Sequence, residues 1–374
     1  MKITAILEDF NRSSEQNAKI VEMIRQQTGA EYLVAAMMGD FTEEARFMAR
    51  DKWTRAKEAK ATGLDLALEI PVISGLSDRS TKIFSGIALL KRLYSVDQVA
   101  ILCRGVEGDK LYELGKFLFM APPAYQAELK KQLGGKPAGG NPELFEAAQI
   151  RALSQFFPEM KPSVAEVLAD PVNRTAVEIV KAMFQFYWVI KPAYVDISEL
   201  PEDVVCQETS VNSLAEELHR VIQQFTPEAL AERLADTPDG SPELCSCFLA
   251  KKEQILGEDT WEGIIGLLTE AGYSVDYVRG FLVKFLLGME RGNLIICGLR
   301  SNCPHGRVLA LSDAKAEEIQ KITQKSWTPL IFGSELEAEL VEEPKEKLDE
   351  CGQMLAHLDE RAQELFSICT KEEQ

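Results

Sequence analysis

The residues of this 374-residue chain best placed to do chemistry lie close to its N-terminus. The stretch Glu8-Asp9-Phe10-Asn11-Arg12-Ser13-Ser14-Glu15-Gln16-Asn17 follows a short apolar run, Ile3–Leu7. It leads into a segment with helical spacing through Ile20, Val21 and Ile24. Strand, polar loop and helix start in that order suit a phosphate ligand, because free N–H groups and the positive dipole end meet at a helix N-terminus. Ser13 or Ser14 equally serves as an ordinary N-cap. The loop holds no glycine, so neither a dinucleotide fingerprint nor a P-loop is present.

Other reactive side chains form no constellation. His219, His305 and His357 stand far apart and show no metal-ligand spacing, so no metal site is expected. The eight cysteines, at 103, 206, 245, 247, 297, 303, 351 and 369, contain no C-x-x-C pair and read as reduced thiols. Cys303-Pro304-His305 is the one place where a cysteine neighbours a histidine, and its proline points to an extended surface turn. Between residues 46 and 60, Arg46, Arg50, Lys52, Arg55, Lys57 and Lys60 outnumber Asp51 and Glu58. Helical spacing would put Arg46, Arg50 and Lys57 on one stripe, either a solvated salt-bridged face or a phosphate contact. Lys82, Lys91, Arg92 and Arg104 could extend it.

Elements that would position these residues are legible from periodicity. Apolar runs at Ile3–Leu7, Tyr32–Met38, Leu64–Ile70 and Val96–Leu102 alternate with helical segments, and the runs lack strand-type alternation. Such a pattern predicts βαβ units and a parallel sheet buried on both faces. A ligand would then sit outside the carboxyl ends of the strands, at 8–17, 38–41, 71–77 and 103–109. Past residue 110 the pattern turns helical. A Gly/Pro cluster at 134–141 interrupts it, one more strand falls at Tyr194–Ile197, and Thr226-Pro227-Glu228 and Ser241-Pro242-Glu243 are good helix starts. Leu294–Cys297 and Arg307–Leu311 read as short strands, followed by a helix over 313–324. The fold class is α/β. Residues 1–200 form a Rossmann-like parallel-sheet domain, and 201–374 form a mainly helical domain ending in an acidic helix.

The net charge of −18 argues against a generally basic nucleic-acid binder. Half of it, however, sits in residues 335–374, where 13 acidic residues face 4 basic ones, so the body is only mildly acidic. Leu348, Leu355, Leu358, Leu365 and Phe366 recur in that segment at spacings that suit one helix face packing on the body, or else docking a protein partner. No apolar run approaches the ~18–20 residues that cross a bilayer, and the first residues read as a strand and no signal peptide. No membrane partner and a cytoplasmic location are expected.

The run Asp51-Lys52-Trp53-Thr54-Arg55-Ala56-Lys57, with Gly63-Leu64-Asp65-Leu66 and Glu69-Ile70-Pro71, resembles the bacterial tRNA(Met) cytidine acetate ligase family. Gly39-Asp40-Phe41 stands where that family has Gly-Asn-Phe, and 84–90, 171–182, 307–311 and 358–366 are similar to its later stretches. The resemblance implies an N-terminal nucleotidyltransferase-type domain of the H-x-G-H superfamily. It implies ATP, as Mg-ATP, for cofactor, acetyl-adenylate as intermediate and the wobble cytidine of tRNA(Met) as acceptor. By the same resemblance Asn11, Ser14, Asn17, Gly39, Asp40, Gly105 and Asn173 would bind the cofactor, and Lys52, Arg55 and Lys57 would contact RNA or phosphate.

Departures from the family cluster at the site. With one inserted residue, Ser14 stands at the first histidine, Gln16 at the glycine and Asn17 at the second histidine. Neutral donors there lack the charge-assisted hydrogen bonds that imidazolium gives, which are about twice as strong. The family's Gln-Arg-Gly-Glu-Pro-Ala is Glu43-Glu44-Ala45-Arg46-Phe47-Met48 here, Val172 replaces an asparagine, and no arginine stands after the fifth strand. The expectation is a catalytically lapsed relative that acts by binding, so no catalytic residue is assigned. The alternative is an active adenylate-forming or nucleotidyl-transfer enzyme with a rebuilt site.

Overall fold

The structure, a computed structural model, describes residues 2–134, 142–201, 212–332 and 348–370. Its sheet holds β1 (Ile3–Leu7), β2 (Tyr32–Met37), β3 (Leu66–Glu69), β4 (Gln98–Cys103), β5 (Pro192–Asp196), β6 (Gly306–Leu311) and β7 (Leu330–Phe332), in the order β5-β4-β1-β2-β3-β6-β7. The first five are mutually parallel, β6 runs antiparallel to β3, and β7 is parallel to β6. From β1 the chain winds outward through β2 and β3, then crosses back to lay β4 on the other side of β1. The β1/β4 boundary is therefore the switch point at which such sheets open a crevice.

Helices α1 (Ser14–Thr28) and α2 (Lys52–Ala61) cover one face of the sheet. On the other lie α4 (Arg79–Lys91), α5 (Gly108–Met120), α6 (Pro123–Gln132), α7 (Pro142–Phe156), α8 (Val164–Ala169) and α9 (Pro171–Gln185), whereas the short α3 (Val72–Gly75) turns its apolar residues into a separate helical core. Ile20, Val21, Ile24, Ala56 and Ala59 fill the first core layer, and Ile83, Ile87, Leu111, Leu114 and Val180 belong to the second. A third core is helical, running from Leu214 through Trp261 and Phe281 to Phe366. Thr226 and Ser241 cap their helices with proline at the first turn, as their sequences predict.

Several expectations change. Leu294–Cys297 is helical, within Arg291–Leu299, because Glu290 and Asn293 close a reciprocal cap ahead of an apolar run too short to betray its period. Strands β6 and β7 extend the N-terminal sheet, so a cut at residue 200 leaves two of its strands on the far side. Cys303-Pro304-His305 is buried rather than a surface turn, since it leads directly into β6. The apolar face of the terminal helix Glu350–Thr370 is packed on the helical core through Leu355, Leu358, Leu365 and Phe366. The 134–141 cluster lies almost wholly outside the described residues, as do Cys206 and 333–347. The seven other cysteines are free thiols, and among the described residues no cluster of three metal-ligating side chains occurs.

Candidate nucleotide site at the carboxyl edge of the sheet

A cavity of about 350 Å³ opens at the switch point. Leu7, Glu8 and Asp9 from the end of β1 line it, with Met38 after β2, Ile70 after β3 and Leu102 of β4. The first turns of α4 bring Arg79, Lys82 and Ile83, and those of α9 bring Pro171, Val172, Thr175 and Ile179. Asn11, Arg12, Glu43 and Glu44 add polar and charged groups to the lining. The volume falls within the range of small-ligand pockets.

Ion pairs run along this wall. Glu43 accepts from Lys82 Nζ at 2.8 Å and lies 3.0 Å from Arg79 Nε, while Arg79 Nη1 reaches Glu146 at 2.8 Å. Glu146 also pairs with Arg174. Burial works against the Glu43 charge, but Lys82 and Arg79 outweigh it and hold the carboxyl below its ordinary value. Burial likewise opposes the Lys82 charge, and Glu43 and Asp9 more than offset it. Arg12 Nη1 sits 2.7 Å from Glu8. Three cations thus line the cavity beside four carboxylates, Glu8, Asp9, Glu43 and Glu44; each cation is ion-paired, and two of them share Glu43.

Behind the cavity Arg55 ties the strand ends together. Buried completely, it donates to the carbonyls of Asp9 at 2.7 Å, Met38 at 2.9 Å, Arg50 at 3.1 Å and Gly39. Lys52, equally buried, gives its backbone N–H to Asp40 at 2.7 Å and its Nζ to Glu69 at 2.7 Å. Glu69 faces Arg307 across the β3–β6 ladder, 3.4 Å away. A Cβ at Gly39 would stand 2.5 Å from Glu69 Oε1, so a larger residue there would have to push that carboxylate away from Lys52.

The expected site residues disperse accordingly. Asn11 lines the cavity. Ser14 is the exposed first residue of α1, and its neighbour Ser13 is the N-cap in a reciprocal box with Gln16. Asn17 is buried and spends its amide on the carbonyls of Phe10 and Arg12, both at 3.1 Å. That clamp holds Phe10 at φ +50°, a left-handed conformation uncommon for a bulky residue. Asp40 is buried on Lys52, and burial pushes its carboxyl up. Gly105 sits at φ +62° and donates to Asp196 at 3.2 Å. Asn173 clamps the backbone of Arg104 from both sides, at 2.9 and 3.0 Å. Of the seven, Asn11 alone reaches the cavity.

The basic stripe is not one surface. Asp51 caps α2 through the Thr54 N–H at 2.8 Å, so Arg46 and Arg50 precede the helix. Arg50 pairs with Glu58, and Arg46 lies 3.9 Å from Asp276. Lys52 and Arg55 are sealed in the interior, unavailable to a surface polyanion, and Lys57 is exposed. Lys91 and Arg92 end α4, far along that helix from Lys82. Arg79, Glu43 and Arg12 were not legible as site residues, although Arg79 and Lys82 sit three apart just after the helix-starting Asp78.

Residues 1–198 match the family model described as HIGH Nucleotidyl Transferase. The chain belongs to this family. It is 24% identical over 374 residues to the tRNA(Met) cytidine acetate ligase of Clostridium kluyveri, with 88% of this chain and 89% of that one covered. A second ligase of that description, from Halothermothrix orenii, is 24% identical over 194 residues, covering 51% of this chain and 46% of its own. In structure the chain is similar to Thermotoga maritima TmcAL bound with alpha-thio ATP, at a TM-score of 0.78 and 17% identity, covering 100% of this chain and 96% of that one. The apo form of that protein gives 0.76. The resemblance carried by 51–57 and the later stretches is thus borne out along the chain, as is the α/β nucleotidyltransferase-type fold.

Proposed function

We propose that this member of the HIGH nucleotidyl transferase family binds an adenine nucleotide in the switch-point cavity and has lost rapid acetyl-adenylate chemistry. The observation that carries this reading is the Asn17 side chain. It is turned into the first loop and used on two carbonyls, and Ser14 is turned to solvent. No imidazole stands in the first turn of α1 to meet charge building on a phosphate. Loss of one such donor costs roughly 10²–10³ in rate. Arg12, Arg79 and Lys82 fit the phosphates of ATP, which would supply the activated α-phosphate when bound. The same three cations favour a second reading, in which they replace the histidines and the protein is an active adenylate-forming enzyme.

The tRNA that the ligase relatives modify is proposed as partner on their likeness, with exposed Lys57 as its contact. A protein partner would meet the outer face of the terminal helix, where Gln353, His357, Glu360 and Glu364 are exposed. Among the described residues no helix is long and apolar enough to span a membrane, and we place the protein in the cytoplasm. Calorimetric titration with Mg-ATP, paired with acetate-dependent AMP release on a tRNA(Met) transcript, tests the reading. Binding with AMP release at least a hundredfold below an authentic ligase supports it. AMP release within tenfold overturns it in favour of the second.

A further inference from the structure

The geometry points to an oxyanion subsite between Arg79 and Lys82 that Glu43 fills in the free protein, so that a ligand's acid group enters by displacing Glu43. This inference rests on the reading of the cavity as the ligand site and specifies how that site is regulated.

Arg79 and Lys82 lie three residues apart in the first turn of α4, on one face, and both line the cavity. Cations are disfavoured at a helix N-terminus, where the dipole already presents positive charge. Two of them with their heads together therefore require an anion. In this chain the anion is covalently attached. Glu43, itself in the cavity lining, bridges both heads at 2.8 and 3.0 Å. It stands at the tip of a short loop closed by the Phe41–Phe47 bridge, where the Thr42 N–H meets the Arg46 carbonyl at 2.7 Å and Ala45 takes φ +56°. The loop's own hydrogen bonds do not use the Glu43 side chain, so turning the carboxylate away would break its two ion pairs and leave the loop backbone intact. Among the described residues, Glu43 is the one carboxylate in direct contact with both cations. Glu146 takes part of Arg79 from the far side and Asp9 adds to the field at Lys82. An incoming phosphate or carboxylate would meet the same fork of donors.

Inorganic pyrophosphate and acetate are titrated separately into wild type, Glu43→Gln and Glu43→Gln with Lys82→Met. Removal of the competing charge is expected to tighten binding of one of the two anions about tenfold or more, and Lys82→Met is expected to abolish the gain. A larger gain for pyrophosphate assigns the subsite to a phosphate group, a larger gain for acetate to a carboxylate. A folded Glu43→Gln that gains nothing for either anion overturns the inference, and so does a gain that survives Lys82→Met. Should Glu43→Gln fail to melt cooperatively, Glu43→Asp, which withdraws the carboxylate by one methylene, must show a smaller gain of the same kind or the inference falls. ATP titrated in parallel keeps the two readings apart. Equal ATP binding without an anion gain removes the Glu43 inference alone, whereas an anion gain without ATP binding removes the nucleotide reading alone.

Discussion

His305 Nε2 and Asp359 Oδ2 lie 2.6 Å apart with both side chains buried, and the second Asp359 oxygen accepts the Val72 N–H at 2.8 Å. One carboxylate near the end of the chain thereby fixes the terminal helix to the entry of β6 and to the first residue of α3. Its field extends to Lys52 and Glu69. The sheet edge and the terminal helix therefore share one buried group of charges.

Asp359→Ala would orphan both His305 and the Val72 N–H in a dry interior. Breaking a buried pair from one side costs about 3–5 kcal/mol, and a fall of that order in urea unfolding at pH 7 is expected. Burial opposes the Asp359 charge, but His305, Lys52 and the Val72 N–H outweigh it and hold the carboxyl below its ordinary value. A depressed acid contributes stability that is present above its unfolded value and lost as pH falls through the folded one. The deficit of the variant should therefore shrink below about pH 4. A deficit that stays constant down to pH 3 would contradict this.

Glu69 has the opposite sign. Burial pushes its carboxyl up to about 7 in spite of Lys52. An acid with a raised folded value stabilises fully below its unfolded value and loses that contribution as pH rises to the folded one. Between about pH 4.5 and 7, wild type should lose up to ~1.4 kcal/mol per pH unit relative to Glu69→Gln. Thermal melts of the two proteins from pH 5 to 8 read this directly. Parallel curves would refute it.

How much of this could be read from the chain depends on which physics each feature uses. Strands β1 to β4 are legible because burial on both faces leaves continuous apolar runs, whereas β5 lies at the sheet edge with only Val195 buried, and the acidic terminal segment declares its packed face through Leu355, Leu358, Leu365 and Phe366. Arg55 and Lys52 read as surface charges because sequence does not show that the strand ends leave bare carbonyls and a carboxylate needing them. Glu43, Arg79 and Lys82 come from separate elements, and only the fold brings 43 beside 79 and 82. Asn17, read from the sequence as part of the loop, lies in the first turn of α1 with its amide on the Phe10 and Arg12 carbonyls, a direction that an alignment, which fixes position alone, leaves open.

Arg55 is where charge and shape can be separated. Its fork serves four carbonyls on the ends of β1 and β2 and the loop before α2. Arg55→Lys keeps the charge and loses the planar geometry. Leaving two or so buried carbonyls unpaired at ~1–3 kcal/mol each should cost about 2–4 kcal/mol by urea unfolding, and hydrogen exchange should rise at residues 38–40. Stability within 0.5 kcal/mol of wild type would show that charge alone suffices.

The first loop offers the sharpest contrast between sequence matching and structure. Restoring the family pattern takes Ser14→His, Gln16→Gly and Asn17→His. Ser14 is exposed, so Ser14→His alone should stay within ~0.5 kcal/mol of wild type, as surface changes do. The other two changes dismantle the loop. Gln16→Gly removes the partner that accepts the Ser13 N–H, and glycine in a helix costs about 1 kcal/mol relative to alanine. Asn17→His replaces an amide that serves two carbonyls with a larger ring that, when neutral, has one N–H to give. The triple variant should therefore lose roughly 3 kcal/mol, release the left-handed Phe10, and form no AMP from acetate and ATP, because position 17 aims into the loop and not into the cavity. Ser14→His serves as the control that separates lost stability from lost chemistry. A triple variant as stable as wild type that releases AMP would mean that the loop can turn residue 17 outward, and that the missing imidazoles alone hold this protein back.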